Sequence, residues 1–145
     1  MFRSATMPGH VIRRLHQHST HIFAKRLRES GFDLTPVQFA ALDALRHLPG
    51  TDQASLADTI GADRATTGEV VDRLQQKGLL RREVAARDRR ARELFLTKTG
   101  EELLLAVAPI VEGLQGEILQ GLDEEEYRLF VTLAIKAWQT AEPLT

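Results

Sequence analysis

The middle of the chain carries its tightest constraint, a stretch punctuated by glycine. Gln53 to Ile60 has the length and apolar spacing of a short helix, with Asp52 placed as N-cap and Gly61 as its stop. The turn Gly61-Ala62-Asp63 leads into a second helix, about Arg64 to Lys77. Asp63 is its cap, Gly78 its left-handed C-terminal residue, and Val70, Val71 and Leu74 its buried side. Two short helices joined by a tight glycine-containing turn make a helix-turn-helix. Two strand-like stretches follow, Leu79 to Val84 and Arg92 to Thr97, with Leu80/Val84 and Leu94/Leu96 at period two. The loop between them carries Arg87, Asp88, Arg89 and Arg90. A β-ribbon directly after a helix-turn-helix is a wing.

The flanks are helical. A first helix is expected from about His10 to Glu29, with Val11, Ile12, Leu15, Ile22, Phe23 and Leu27 on one stripe and Gly31 as its stop. Arg26 interrupts that stripe. Leu34-Thr35-Pro36-Val37-Gln38-Phe39 combines a hydrophobic staple, an N-cap, a first-turn proline and a capping-box glutamine, and opens a helix that ends near Leu48-Pro49-Gly50. After the ribbon, Thr97-Lys98-Thr99-Gly100 introduces a long helix through Leu103, Val107, Ile110, Val111, Leu114 and Ile118. Pro109 inside it should kink or split it. Leu122, Asp123, Glu126 and Tyr127 repeat the staple and capping box before a last helix ending near Trp138 or Gln139. The expected class is mainly α with a small two-stranded β wing, in one domain of 145 residues.

Composition excludes several activities. The chain has no cysteine, so it forms no disulfide, thiolate zinc site or cysteine nucleophile. No apolar run reaches the roughly 18–20 residues of a membrane span, and Met1 to Gly9 lack the apolar core of a secretory signal. The expectation is a soluble cytoplasmic protein with no membrane partner. No phosphate loop, nucleophile elbow or paired nucleophile and base stands out, so no enzyme and no cofactor is expected.

Charge separates along the chain. Arg64 to Lys98 holds ten Lys/Arg against five Asp/Glu, whereas Glu101 to the end holds two against nine. A basic centre and an acidic tail half draw a polyanion to one end of the molecule. The helix of the helix-turn-helix that fits the major groove is the fourth. Arg64 can donate to guanine O6 and N7, Thr67 can touch a thymine methyl, and Glu69 can accept from cytosine N4, with Thr66 beside them. Gly68 permits close approach, and Arg73 and Lys77 suit phosphates. Arg87, Arg89 and Arg90 at a ribbon tip suit a narrow minor groove, with Asp88 expected to hold a guanidinium through a bidentate pair. A winged-helix protein-interaction module is the competing class, but its wing would be neutral or acidic.

The run Asp88-Arg89-Arg90-Ala91-Arg92-Glu93-Leu94-Phe95-Leu96-Thr97-Lys98-Thr99-Gly100 resembles the wing signature of the MarR family of bacterial regulators. Leu34 to Phe39, Leu56-Ala57 and Arg73 to Leu79 match that family's other landmarks in order and spacing. The resemblance implies a homodimer on a pseudo-palindromic operator in double-stranded DNA, with a repressor as the default. It places dimerisation helices at about 8–30 and 101–140 around a winged helix-turn-helix at about 34–99. It also implies that Arg90 enters the minor groove with Asp88 supporting it. The chain departs from the family where a hydroxyl and a basic residue are common, having Gly68 and Glu69 instead. A two-fold dimer sets its reading helices roughly 34 Å apart, one DNA turn.

A switch is expected in the first helix. His10, Arg14, His18, His21 and Lys25 share one flank beside the apolar stripe and can hold the anionic group of an amphipathic ligand. Arg26 is a further anion candidate, with an ion pair to an acid of a late helix as its alternative. By resemblance the effector is a small anionic molecule, aromatic or an aryl-coenzyme A. A metal-responsive alternative would use His18 and His21 with His10 or His16, although no His-Glu-x-x-His motif is present.

Overall fold

The computed structural model describes residues 2–139. A 3-10 turn at Arg3–Thr6 precedes six α-helices and one antiparallel ribbon. The helices are α1 (Pro8–Glu29), α2 (Pro36–His47), α3 (Gln53–Ile60), α4 (Arg64–Gln76), α5 (Lys98–Ile118) and α6 (Glu124–Gln139). The ribbon strands are β1 (Leu80–Val84) and β2 (Arg92–Leu96), in register Leu80↔Leu96 to Val84↔Arg92. The expected dimerisation span runs to about residue 140, which lies outside the described residues. None of the described helices is long and apolar enough to cross a membrane.

Local signals set most boundaries. Thr35 accepts from the Gln38 amide at 3.1 Å while the Gln38 side chain accepts from the Thr35 amide at 3.2 Å, closing the box on α2. Asp123 and Glu126 close the same box on α6. The α4 helix stops one residue before the sequence reading had it. Lys77 is its C-cap, Gly78 takes φ +75°, and the Leu79 amide reaches back to the Leu74 carbonyl at 2.9 Å.

One core joins these elements. Phe23 and Leu27 of α1, Leu42 and Leu45 of α2, and Leu56 of α3 meet Val71 and Leu74 of α4 there, together with Leu80 and Leu94 of the ribbon. Leu104, Val107, Val111 and Leu114 of α5 complete it. Pro109 does not split α5, because apolar side chains on both sides of it are anchored in this core. Val84, expected on the buried face of β1 with Leu80, is exposed, because the far end of the ribbon extends beyond the helices. The first turns of α1 also escape the core: Ile12 is 65% exposed and Val11 41%. Helix α6 buries no residue at all.

Gly100 lets α5 pack directly against the residue that precedes β1, since a Cβ there would overlap the Leu79 carbonyl oxygen. Gly113, on the same helix, has open space. Gly100→Ala should therefore destabilise the protein by about 3 kcal/mol or more through overpacking. Gly113→Ala should raise stability by about 0.5–1 kcal/mol through helix propensity. Urea unfolding of the two variants measures both; equal effects would contradict this packing.

Candidate nucleic-acid interface

Helix α4 presents one face to solvent and seats the other in the core. Arg64, Thr66, Glu69, Arg73 and Gln76 are exposed, whereas Val71 and Leu74 are fully buried. Asp63 caps the helix by accepting from the Thr66 amide at 2.7 Å. The bond to the Thr66 amide holds the Asp63 carboxyl below its usual range, and the Ser55 amide does the same for Asp52 at the start of α3.

Thr67 is a correction to the sequence reading. It is wholly buried, and its hydroxyl donates to the Asp63 carbonyl at 2.8 Å. It lies four residues before Val71 and seven before Leu74, on their stripe, so it faces the core and meets no thymine. Lys77 is also engaged away from the reading face, donating to the Asp33 carbonyl at 3.0 Å beside the Asp33 carboxylate.

The wing tip is a turn built by Asp88. Its Oδ1 accepts from the Arg90 amide at 2.9 Å, and its carbonyl accepts from the Ala91 amide at 3.1 Å. The expected bidentate grip on a guanidinium is absent among the described residues. A short carboxylate two residues before an amide closes an Asx turn more readily than it reaches a neighbouring side chain. Asp88 thus shapes the loop rather than aiming an arginine. Arg87, Arg89 and Arg90 stand exposed around that turn, with no carboxylate partner among the described residues. Arg92 instead donates to the Arg89 carbonyl at 2.8 Å and braces the tip from within.

Two arginines of β1 are divided by strand parity. Arg81 lies over the Phe95 ring at 4.8 Å and pairs with Glu83 on the outer face. Arg82 shares the face of buried Leu80 and turns toward the helices. It donates to Asp72 at 2.6 Å and Gln75 at 2.7 Å on α4, and to Gln53 on α3 at 3.4 Å. Sequence reasoning missed Arg82 and Gln53. The parity of Arg82 with Leu80 was the available signal for the first.

The expected ligand flank is only partly assembled within one chain. His10 accepts from Arg13 at 2.9 Å, and His18 Nε2 bonds the Ile118 carbonyl at 3.0 Å. Arg14 and His21 are exposed on α1. Arg26 is committed elsewhere: its Nε donates to Glu117 of α5 at 2.7 Å, its Nη2 also pairs with Glu117, and its Nη1 donates to Glu29 at 3.0 Å. The Glu117 hydrogen bond raises the Arg26 pKa, and Arg26 in turn lowers that of Glu117. The ion-pair alternative for Arg26 is therefore the one realised. For the metal-responsive alternative, no three His, Asp or Glu converge on a possible ion among the described residues.

A helix with an exposed polar face, fastened beside a ribbon tipped with three arginines, defines a winged helix-turn-helix protein of the DNA-binding class. The chain matches the MarR family over residues 32–91. It is 37% identical over 131 residues to the transcriptional regulator HosA of Escherichia coli O157:H7, covering 90% of this chain and 94% of that one. The PcaV transcriptional regulator of Streptomyces coelicolor, solved with its natural ligand, superposes with a TM-score of 0.88 at 31% identity, covering 98% and 99% of the two chains. Bordetella bronchiseptica BpsR, whose DNA binding is regulated by 6-hydroxynicotinic acid, superposes with a TM-score of 0.86 at 26% identity, over 98% and 99%. The chain belongs to the MarR family of transcriptional regulators, and it is a regulator rather than an enzyme.

The caps make α3 and α4 sensitive to acid. A carboxylate whose folded pKa is depressed contributes stability above its unfolded value and loses it as pH falls through the folded one. The melting temperature should thus fall as pH drops below about 4. Asp63→Asn keeps the acceptor but not the titration, so its melting temperature should fall less over the same range. Identical acid profiles for the two proteins would contradict the role given to Asp63.

Proposed function

We propose that two copies of this chain join through α1, α5 and α6 and bind a pseudo-palindromic operator in double-stranded DNA, repressing transcription by occluding the promoter. Each copy lays α4 in a major groove and its wing in the adjacent minor groove. Arg64, Thr66, Glu69 and Arg73 meet the major groove, and Arg87, Arg89 and Arg90 meet the minor groove and its phosphates, on a tip shaped by Asp88. The observation that carries this reading is the mounting of both contact elements on one core with their cationic groups unpaired toward solvent.

A second copy is favoured by an open apolar groove of about 870 Å³ between the start of α1, the end of α5 and one face of α6. Ile12, Leu133 and Trp138 line it and are more than half exposed, at 65%, 52% and 65%. A continuous apolar surface of this kind on a regulator calls for a partner. The flanking spans, about 8–30 and 101–140, are assigned to dimerisation and 34–99 to DNA. The site of action is the cytoplasm.

The effector is a small anionic, aromatic molecule that binds beside α1. His10, Arg14, His18 and His21 supply the anion-binding flank, and Arg26, held by Glu117, does not. The likeness over nearly the whole chain to PcaV, solved with its natural ligand, supports this, as does the aromatic acid that regulates BpsR. Such a ligand releases DNA only by binding the DNA-incompetent arrangement more tightly. A hydroxylated aromatic carboxylate at 100 times its Kd should raise stability by about 2.7 kcal/mol. It should weaken operator binding in the same titration. Aromatic acids and their coenzyme A thioesters that neither shift the melting curve nor displace DNA would remove this effector class.

The test of the DNA reading is Arg90→Ala. Operator affinity should fall at least about tenfold, near 1.4 kcal/mol, with the dimer intact by light scattering. Unchanged affinity would favour another contact surface.

A further inference from the structure

Gly68 leaves a gap in the reading helix, and the gap is occupied by a side chain from a different helix. The Nε2 of Gln53 lies 3.3 Å from where a Gly68 Cβ would stand. Gln53 is the first residue of α3 and is half-buried. The orientation of its carboxamide is fixed by chemistry. Arg82 has only donors to offer, so the atom facing its guanidinium is the Gln53 Oε1, at 3.4 Å. Arg82 is itself pinned by Asp72 and Gln75. The amide Nε2, a donor with two hydrogens, is thereby turned away from Arg82 and toward α4.

The position of Gln53 gives that donor a target. Gln53 lines an open hollow together with Arg82, Arg90 and Arg92, between the start of α3 and the wing. Asp52 also borders the hollow, but its carboxylate is turned to the Ser55 amide at 2.7 Å. When a helix occupies a major groove and a wing the neighbouring minor groove, the sugar-phosphate strand dividing those grooves runs between helix and wing. Gln53 lies between those two elements, against Gly68 of α4 on one side and beside Arg90 and Arg92 of the wing on the other.

We propose that Gln53, oriented by Arg82 and admitted by Gly68, donates a hydrogen bond from Nε2 to a phosphate of this dividing strand. This rests on the DNA reading above. Gln53 is a contact residue, and Arg82 is its positioning residue. The contact fixes the register between helix and wing on the duplex and carries no base information. Because the carboxamide is neutral, it releases no counterion.

Gln53→Leu removes the donor at similar size, leaving Arg82 its two partners on α4. Gln53→Glu keeps an acceptor for Arg82 but offers no donor. Both are compared with the wild type and Arg90→Ala on an operator duplex and a scrambled duplex, across a salt series, with melting curves as the folding control. Gln53→Leu should lose roughly tenfold in affinity on both duplexes, as expected for a hydrogen bond to a charged group. Its slope of log affinity against log salt should stay at the wild-type value, whereas Arg90→Ala should flatten it. Gln53→Glu should lose more, through repulsion from the phosphate, with its melting temperature maintained by the Arg82 pair. Unchanged affinity in either folded variant overturns the proposal. So does a loss confined to the operator, which would make Gln53 a base contact. A wild type that binds neither duplex would instead sink the DNA reading itself.

Discussion

Beneath α4 and the ribbon, Val71, Leu74, Leu80 and Leu94 meet with at most 2% of their surface exposed. The arrangement of the proposed DNA-facing side depends on this contact. A reading helix and a wing are useful together only if their separation matches the spacing of two adjacent grooves. Here the spacing is set by close-packed leucine and valine side chains, which resist small displacements. Arg82 adds a polar tie from the ribbon to both helices, and Gly100 lets α5 press directly against the residue that precedes β1. The arginines at the tip can therefore remain unpaired without leaving the wing's direction undefined.

The opposite end of the molecule is built differently. Helix α6 has no buried residue and the first turns of α1 contribute little to the core, yet both carry large apolar side chains. Their surfaces converge with the end of α5 on one groove. Acidic residues gather in the same half of the sequence, which gives this end the opposite sign to the basic centre. Under the proposed arrangement, the pairing of two copies turns two modest contact faces into one bivalent reader. The Arg26–Glu117 pair ties α1 to α5 near this region.

Helix boundaries were legible because their signals are local. Thr35 with Gln38 and Asp123 with Glu126 are four-residue patterns, and each forms the expected reciprocal bonds. Asp52, Gly61 and Asp63 delimited α3 and opened α4 where expected. Side-chain direction was less legible. The chemistry of Thr67 suits an outward contact, but its spacing from Val71 and Leu74 turns it inward. Three arginines beside Asp88 suggest a guanidinium partner, but a nearer backbone amide satisfies its carboxylate first. The partner of Arg26 lies 91 residues away, beyond any local pattern. The Gln53–Gly68 approach required the relative placement of two helices, which the turn between them does not specify at atomic scale.

In vitro selection from a random duplex library, using the purified full chain at modest ionic strength, tests the central claim most directly. Two-fold reading by α4 predicts enrichment of an inverted repeat whose half-sites are centred about 10 base pairs apart. Recovery of a single asymmetric half-site, or no enrichment over the starting library, would contradict it.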